Sequence, residues 1–232
     1  MPFFYMDYWY FVLVLPALLV TVWAQIRVKS VFNKYSRVSV ACGMTGAQTS
    51  EYIQQANGVR TSLRAIDGAM TDYYDPRNNC ISLSAPVFSH STVAAVGVAA
   101  HETGHAIQHA RGYVPVRLRT ALVPVTNFAS SISPLLVVLG IVMSMEPLAY
   151  AGIILFSVAV FFQLVTLPVE FNASARAVGA LQDSGKFTPE EIEGVRRVLT
   201  AAALTYVAAL FVSLMSLLRL ILLVSGSRGR RR

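Results

Sequence analysis

His101-Glu102-Thr103-Gly104-His105 is a run of residues whose types and spacing can do chemistry. On a helix, His101 and His105 lie one turn apart and project from one face, so two imidazole nitrogens converge on one metal ion. Glu102 stands beside them, where it can take a proton from a water that the metal activates. That combination is the core of a zinc-dependent hydrolase, with one Zn2+ as cofactor and Glu102 as general base. The run lies in an apolar stretch, VAAVGVAAHETGHAIQHA. Two imidazoles and a carboxylate are costly to bury there unless they are paired or bound to metal.

A catalytic zinc takes three protein ligands and keeps one position open. His109 sits on the same helix, too far along its axis to join the pair, and His90 precedes it by too many turns. Both are read as surface or capping histidines. Among the acids Glu170 stands out, directly after an apolar segment and at the start of an Ala-rich helix. It is read as the third ligand. The other reading, a carboxylate favoured by a helix N-terminus, stays open at this point.

The elements that must position these residues are membrane elements. Of 232 residues, 55% are hydrophobic and only 13% charged, with mean hydropathy +0.55. A soluble domain carries about a quarter charged residues. The expectation is a mainly α membrane protein. It has about four transmembrane or membrane-embedded helices, a small α+β region, and an HExxH helix of gluzincin type, all in one domain over residues 1–232. The net charge of +7 does not indicate nucleic acid, because the basic residues flank apolar segments, where they set orientation in the lipid bilayer. The basic tail can also bind anionic head groups. Cys42 and Cys80 are too few for a disulfide framework.

Residues 8–26 read as a retained anchor, since Asp7 and no Lys or Arg precede them. Arg27, Lys29, Lys34 and Arg37 follow and place residues 38–89 in the cytoplasm. That region should hold a helix GAQTSEYIQQAN, capped by Thr45 and stopped at Asn57-Gly58. A strand over 59–66 and a turn at Asp67-Gly68 follow. Tyr73 to Arg77 read as a turn or extended lead-in, and Cys80 to Leu83 as a second strand stopped by Pro86. The active-site helix takes residues 90–110, capped by Ser89 or Ser91. Residues 122–143 and 148–168 form a membrane hairpin with its tip outside. Residues 170–200 are helical, with Thr188-Pro189-Glu190-Glu191 as a helix start that runs into an apolar segment at 201–224. Residues 27–121 and 169–200, the stretches on either side of the hairpin, are both assigned to the cytoplasm; fourteen Lys and Arg residues fall in them and none in the hairpin tip. Arg228, Arg230, Arg231 and Arg232 conflict with four simple crossings, which leaves the last segment as a full span or a re-entrant one.

Further donors to a reacting carbonyl are Tyr206, Tyr74 and Arg77, each weighed against a packed tyrosine or a structural arginine. The strand around Ser82 could pair with an extended peptide. Arg176 reads as a buried ion-pair partner over a substrate clamp, and with Asn172 and Ser174 it is a candidate to support the metal ligands.

VAAHETGHAIQHARGYVPVRLR, preceded by YDPRNNCISLSAPVFSHSTVAAV and followed by LPVEFNASARA and AAALTYVAAL, resembles the YugP-like neutral zinc metallopeptidases, a family of bacterial membrane proteins. The resemblance covers nearly the whole chain and extends more distantly to HtpX-type membrane proteases. It implies a zinc endopeptidase of the bacterial inner membrane, with its site facing the cytoplasm, protein or peptide substrates, and Glu170 as third ligand. Two positions depart from the pattern. Asn172 stands where Asp is more usual, and Ser174 stands where HtpX-type sites carry an Asp. Asn172 and Ser174 can serve only as neutral acceptors for a ligating imidazole, or a backbone carbonyl takes that role. An intramembrane-cleaving protease of site-2 type would need an Asp in a later span, and residues 122–143, 148–168 and 201–224 have none. A zinc transporter or sensor would carry several His, Asp or Glu along its spans, and these are nearly free of them.

Overall fold

A computed structural model of the chain describes residues 7–229. The expectation for Arg230, Arg231 and Arg232 lies outside them. The protein is mainly helical with one three-stranded sheet. A π-helical turn, Tyr10–Val14, leads directly into α1, Leu15–Tyr35. Then come α2 (Gly46–Asn57), β1 (Ser62–Ile66), β2 (Tyr73–Asp75), β3 (Cys80–Ser84), α3 (Ala85–Ser89), α4 (Val93–Ala110), α5 (Val114–Val142), α6 (Glu146–Asp183) and α7 (Pro189–Gly229). Among the described residues four helices are long and apolar enough to cross a membrane: 10–35, 114–142, 146–183 and 189–226.

Contacts divide the chain into two compact units. The first comprises residues 1–24, 118–167 and 205–232, of which the described part is helical. Small residues close the α5–α6 pair. A Cβ on Gly140 would collide with the backbone of Ala149, and one on Gly152 would stand 2.6 Å from Val137 Cγ2. Ser133 Oγ donates to the Gly152 carbonyl at 2.9 Å. Such close backbone approach is how helices associate where no water drives them together. Outward side chains are large and apolar, with Phe128 64% and Ile154 67% exposed, as a lipid-facing surface requires. Arg219 Nη2 meets Asp7 Oδ2 at 2.6 Å, a part-buried pair that joins α7 to the start of the first helical segment.

The second unit comprises residues 25–117 and 168–204. Thr45 caps α2 as expected, and Gln48 completes a capping box by accepting from the Thr45 N–H. Gly58 ends the helix with φ +66°, the left-handed geometry that favours glycine. The sheet order is β1-β3-β2, with β1 parallel and β2 antiparallel to β3. Of the two readings for this stretch, turn or extended lead-in, Tyr73–Asp75 takes the extended one, as a paired strand. Pro86 sits in the first turn of α3, where its missing N–H costs nothing, so it opens a helix instead of merely stopping a strand. The core of this unit is Ile53, Ile81, Leu83, Val96, Ala99, Ala100, Val178, Leu181 and Val195, drawn from α2, β3, α4, α6 and α7.

Candidate metal centre

α4 starts at Thr92, whose hydroxyl accepts from the Ala95 N–H, and not at Ser89 or Ser91. Its first half is Ala, Val and Gly because neighbours come close: a Cβ on Gly97 would stand 3.2 Å from Val195 of α7. His101 and His105 follow on one face, with ring centroids 4.7 Å apart. The facing helix is α6, which runs unbroken through Pro168. Glu170 thus sits in mid-helix and not at a helix start, so the reading of a carboxylate held by an N-terminal dipole fails for want of an N-terminus. Glu170 is 2% exposed. Its Oε2 lies 3.3 Å from His101 Nε2 and 3.5 Å from His105 Nε2. One potential ligand atom from each of the three residues lies within 4.8 Å of the others.

This convergence depends on Gly104. A Cβ there would stand 2.7 Å from the carbonyl oxygen of Ala173, so only glycine lets α4 approach the turn of α6 that carries Glu170. Thr103 is equally committed. Its hydroxyl donates to the Ala99 carbonyl and accepts from Ser50 at 2.7 Å, and Ser50 in turn accepts from Gln54 Nε2. Gln54 Oε1 accepts from the N–H and hydroxyl of Thr61. This buried chain ties α2 to the helix bearing the histidines.

The outer nitrogen of each imidazole has a side-chain partner. His101 Nδ1 meets Ser174 Oγ at 3.2 Å, the neutral partner anticipated for one of the histidines. His105 Nδ1 meets Gln108 Oε1 at 3.1 Å, and neither imidazole relies on a backbone carbonyl. Gln108, fully buried, is a residue sequence reasoning missed. The signal was present, since it lies three residues after His105 on the same helix face. Asn172 does not touch an imidazole; its Oδ1 accepts from Gln108 Nε2 at 3.0 Å and from Arg176 Nε at 2.8 Å. Arg176 therefore donates to an amide, where an ion pair had been expected.

The donor set is two imidazoles and one carboxylate, which suits a borderline cation such as zinc and leaves room for a fourth ligand. The electrostatics agree. Burial disfavours a charged His105, yet hydrogen bonding to Glu170, the charges of Glu102 and Glu170, and Gln108 together raise its pKa above the ordinary value. The site attracts positive charge. Glu102 is buried beside the pair and makes no side-chain hydrogen bond among the described residues.

The other candidates are placed as follows. Ser82 is fully buried in the middle strand, and its hydroxyl accepts from Arg64 Nε at 2.8 Å. β3 pairs on both edges, so neither Ser82 nor its strand can take an extended peptide; β2 is the strand beside α4 with an open edge among the described residues. Tyr74 on β2 packs edge-on to His109, ring centroids 6.0 Å apart, and its hydroxyl donates to Asn79. Arg77 is exposed in the turn after β2, where its backbone N–H donates to Asp75. Tyr206 belongs to the first unit, and the three ligand candidates belong to the second.

Residues 10–225 match the family described as "Putative neutral zinc metallopeptidase". The chain belongs to this family. It is 46% identical over 217 residues to "Putative membrane protease YugP" of Bacillus subtilis (strain 168), covering 93% of this chain and 96% of that protein. No solved structure matches it significantly. Membership fits the four apolar helices and the His101, His105 and Glu170 cluster, and it agrees with the resemblance carried by the sequence motifs.

Proposed function

We propose that the chain is a zinc-dependent membrane endopeptidase and that His101, His105 and Glu170 hold its single metal ion. One observation carries this reading: both imidazole Nε2 atoms converge on the same Glu170 oxygen across a buried helix contact. A zinc ion bound there would activate water and polarise a scissile carbonyl. Glu102 takes a proton from the attacking water and delivers it to the leaving amine. Its burial beside the histidines, without a hydrogen-bonded partner among the described residues, suits a carboxylate that must pick up and release a proton. The open edge of β2 is the element that could align an extended peptide, through backbone bonds that tolerate many sequences.

The membrane setting follows the same line. The whole chain acts as one membrane-embedded catalytic domain in the bacterial inner membrane, with the site on the cytoplasmic side. The clustering of basic residues in the second unit's segments, and their absence from the α5–α6 turn, supports that orientation. α7 has no break through Gly229, which supports a full crossing by the last segment.

The test is Glu102→Gln in the full-length protein, with metal content and hydrolysis of an unfolded protein such as casein read side by side. Zinc stays and hydrolysis is lost. Hydrolysis that survived the substitution would remove Glu102 as the base. Zinc bound equally well by Glu170→Ala would remove Glu170 as a ligand.

A further inference from the structure

We propose that Gln108 is a positioning residue that holds His105 as the Nδ1–H tautomer, leaving Nε2 bare toward the metal, and that ties this imidazole to the helix turn carrying Glu170. The inference rests on the metal reading above and concerns how the ligand is prepared. A histidine binds metal only through a nitrogen that carries no proton, so the tautomer decides whether a ligand is ready.

The direction of each hydrogen bond can be followed from a fixed end. Arg176 has only donors. Its Nε–H gives to Asn172 Oδ1 at 2.8 Å, so the oxygen of that amide faces inward. The same oxygen lies 3.0 Å from Gln108 Nε2, which must therefore be the donor. A second acceptor, the Val169 carbonyl, lies 2.8 Å from Gln108 Nε2. Both amide protons of Gln108 are thus claimed by oxygens. Its own oxygen turns to His105 Nδ1 at 3.1 Å, and an acceptor there demands an N–H on that nitrogen. A neutral imidazole carries one such proton, and two oxygens compete for it: Gln108 Oε1 lies 3.1 Å from Nδ1, within good hydrogen-bond range, and Glu170 Oε2 lies 3.5 Å from Nε2, beyond it, so the proton stays on Nδ1 and Nε2 keeps its lone pair.

His101 differs. Its Nδ1 faces the Ser174 hydroxyl, which donates or accepts equally well and imposes no tautomer. The preparation of the site is therefore unequal between the two histidines. It is also neutral: Gln108, Asn172 and Ser174 add no charge around the imidazoles, where a carboxylate would otherwise hold each proton. Val169 and Asn172 flank Glu170 in the chain, so one amide side chain fixes both the tautomer of His105 and the approach of the third ligand.

The experiment uses the full-length chain in detergent, 15N-labelled at histidine; with four histidines the ring signals can be assigned. Metal-free protein at alkaline pH gives the tautomer, and competition with a zinc chelator gives affinity. Wild type should show His105 as Nδ1–H alone. Gln108→Met should show both tautomers and bind zinc about 10–100-fold more weakly, the usual range for groups that orient ligands. Arg176→Met should weaken binding by a smaller factor, and Arg176→Lys, which also has only donors, should restore it. Gln108→Met that kept a pure Nδ1–H signal, or kept wild-type affinity, would overturn the proposal. If Gln108→Met does not fold, the Arg176 pair decides: Met and Lys variants alike in both readouts overturn it. Wild type that bound no zinc would instead sink the metal reading, and the metal-free tautomer would still judge Gln108.

Discussion

Gly104 rests against Ala173 so closely that the smallest side chain would reach within 2.7 Å of the Ala173 carbonyl oxygen. In an ordinary helix interior, Gly→Ala stabilises by about 1 kcal/mol. Here the sign should reverse. Gly104→Ala must push α4 from α6, and overpacking of that kind costs about 1–3 kcal/mol. The separation also opens the distance between Glu170 and the histidines. Thermal unfolding should shift down and bound zinc should fall. A variant more stable than wild type with full zinc would show that the contact is not limiting.

Metal should contribute to stability through the same three residues. A ligand that binds only the folded state stabilises it by about 4 kcal/mol at a thousandfold excess over its dissociation constant. Chelation of wild type should therefore lower Tm in a manner that added zinc reverses. Glu170→Ala should start near the chelated value and respond to neither treatment. An equal response in both proteins would place the stabilising metal elsewhere.

Glu191 is structural, and its loss should leave the metal alone. Its Oε1 accepts from the Ala41 N–H at 2.6 Å and its Oε2 from the Thr188 N–H at 2.8 Å, while Thr188 Oγ1 accepts from the Glu191 N–H. It closes a capping box and holds a segment 150 positions away in sequence. Glu191→Ala leaves two partly buried N–H groups unpaired, a loss of about 1–3 kcal/mol. Denaturant unfolding should show that loss, with zinc stoichiometry unchanged.

Asp72 gives a pH dependence of defined sign. Burial raises its pKa, and the Ser84 N–H and hydroxyl only partly oppose this. The folded state therefore holds the proton more tightly than the unfolded state. Stability from this group is full below the ordinary carboxylate range and is lost as pH rises through the raised value. Asp72→Asn keeps an acceptor for Ser84 and has no charge to bury. The variant's Tm advantage should be near zero in acid and grow toward neutral pH; a gap that stayed constant with pH would contradict the assignment.

Much of this was legible in the sequence because it rests on short-range rules. Thr45 and Gly58 bound α2 by capping chemistry, and Thr188 with Glu191 opens α7 in the same way. The residues His101 and His105 share a face because five residues on a helix leave no other choice. What was not legible depended on the partner. Tyr73–Asp75 is too short to show strand periodicity and is a strand only because β3 lies beside it. Ser82 looked available for substrate until Arg64 and two flanking strands claimed it. Pro168 suggested a helix boundary, yet α6 continues through it, as long apolar helices often do, and this moved Glu170 from a helix start to a helix middle. Gln108 needed knowledge of what faces His105.

The separation of the ligands has a consequence for biosynthesis. His101 and His105 are made well before Glu170, with all of α5 and the first part of α6 between them. At ordinary rates of translation, that interval of about 65 residues takes roughly 3–13 s. During those seconds the nascent chain carries two histidines and a glutamate without the residue that completes the set. On the proposed metal reading, hydrolysis cannot begin until the segment carrying Glu170 has been synthesised, so the order of the chain itself delays the completion of the site.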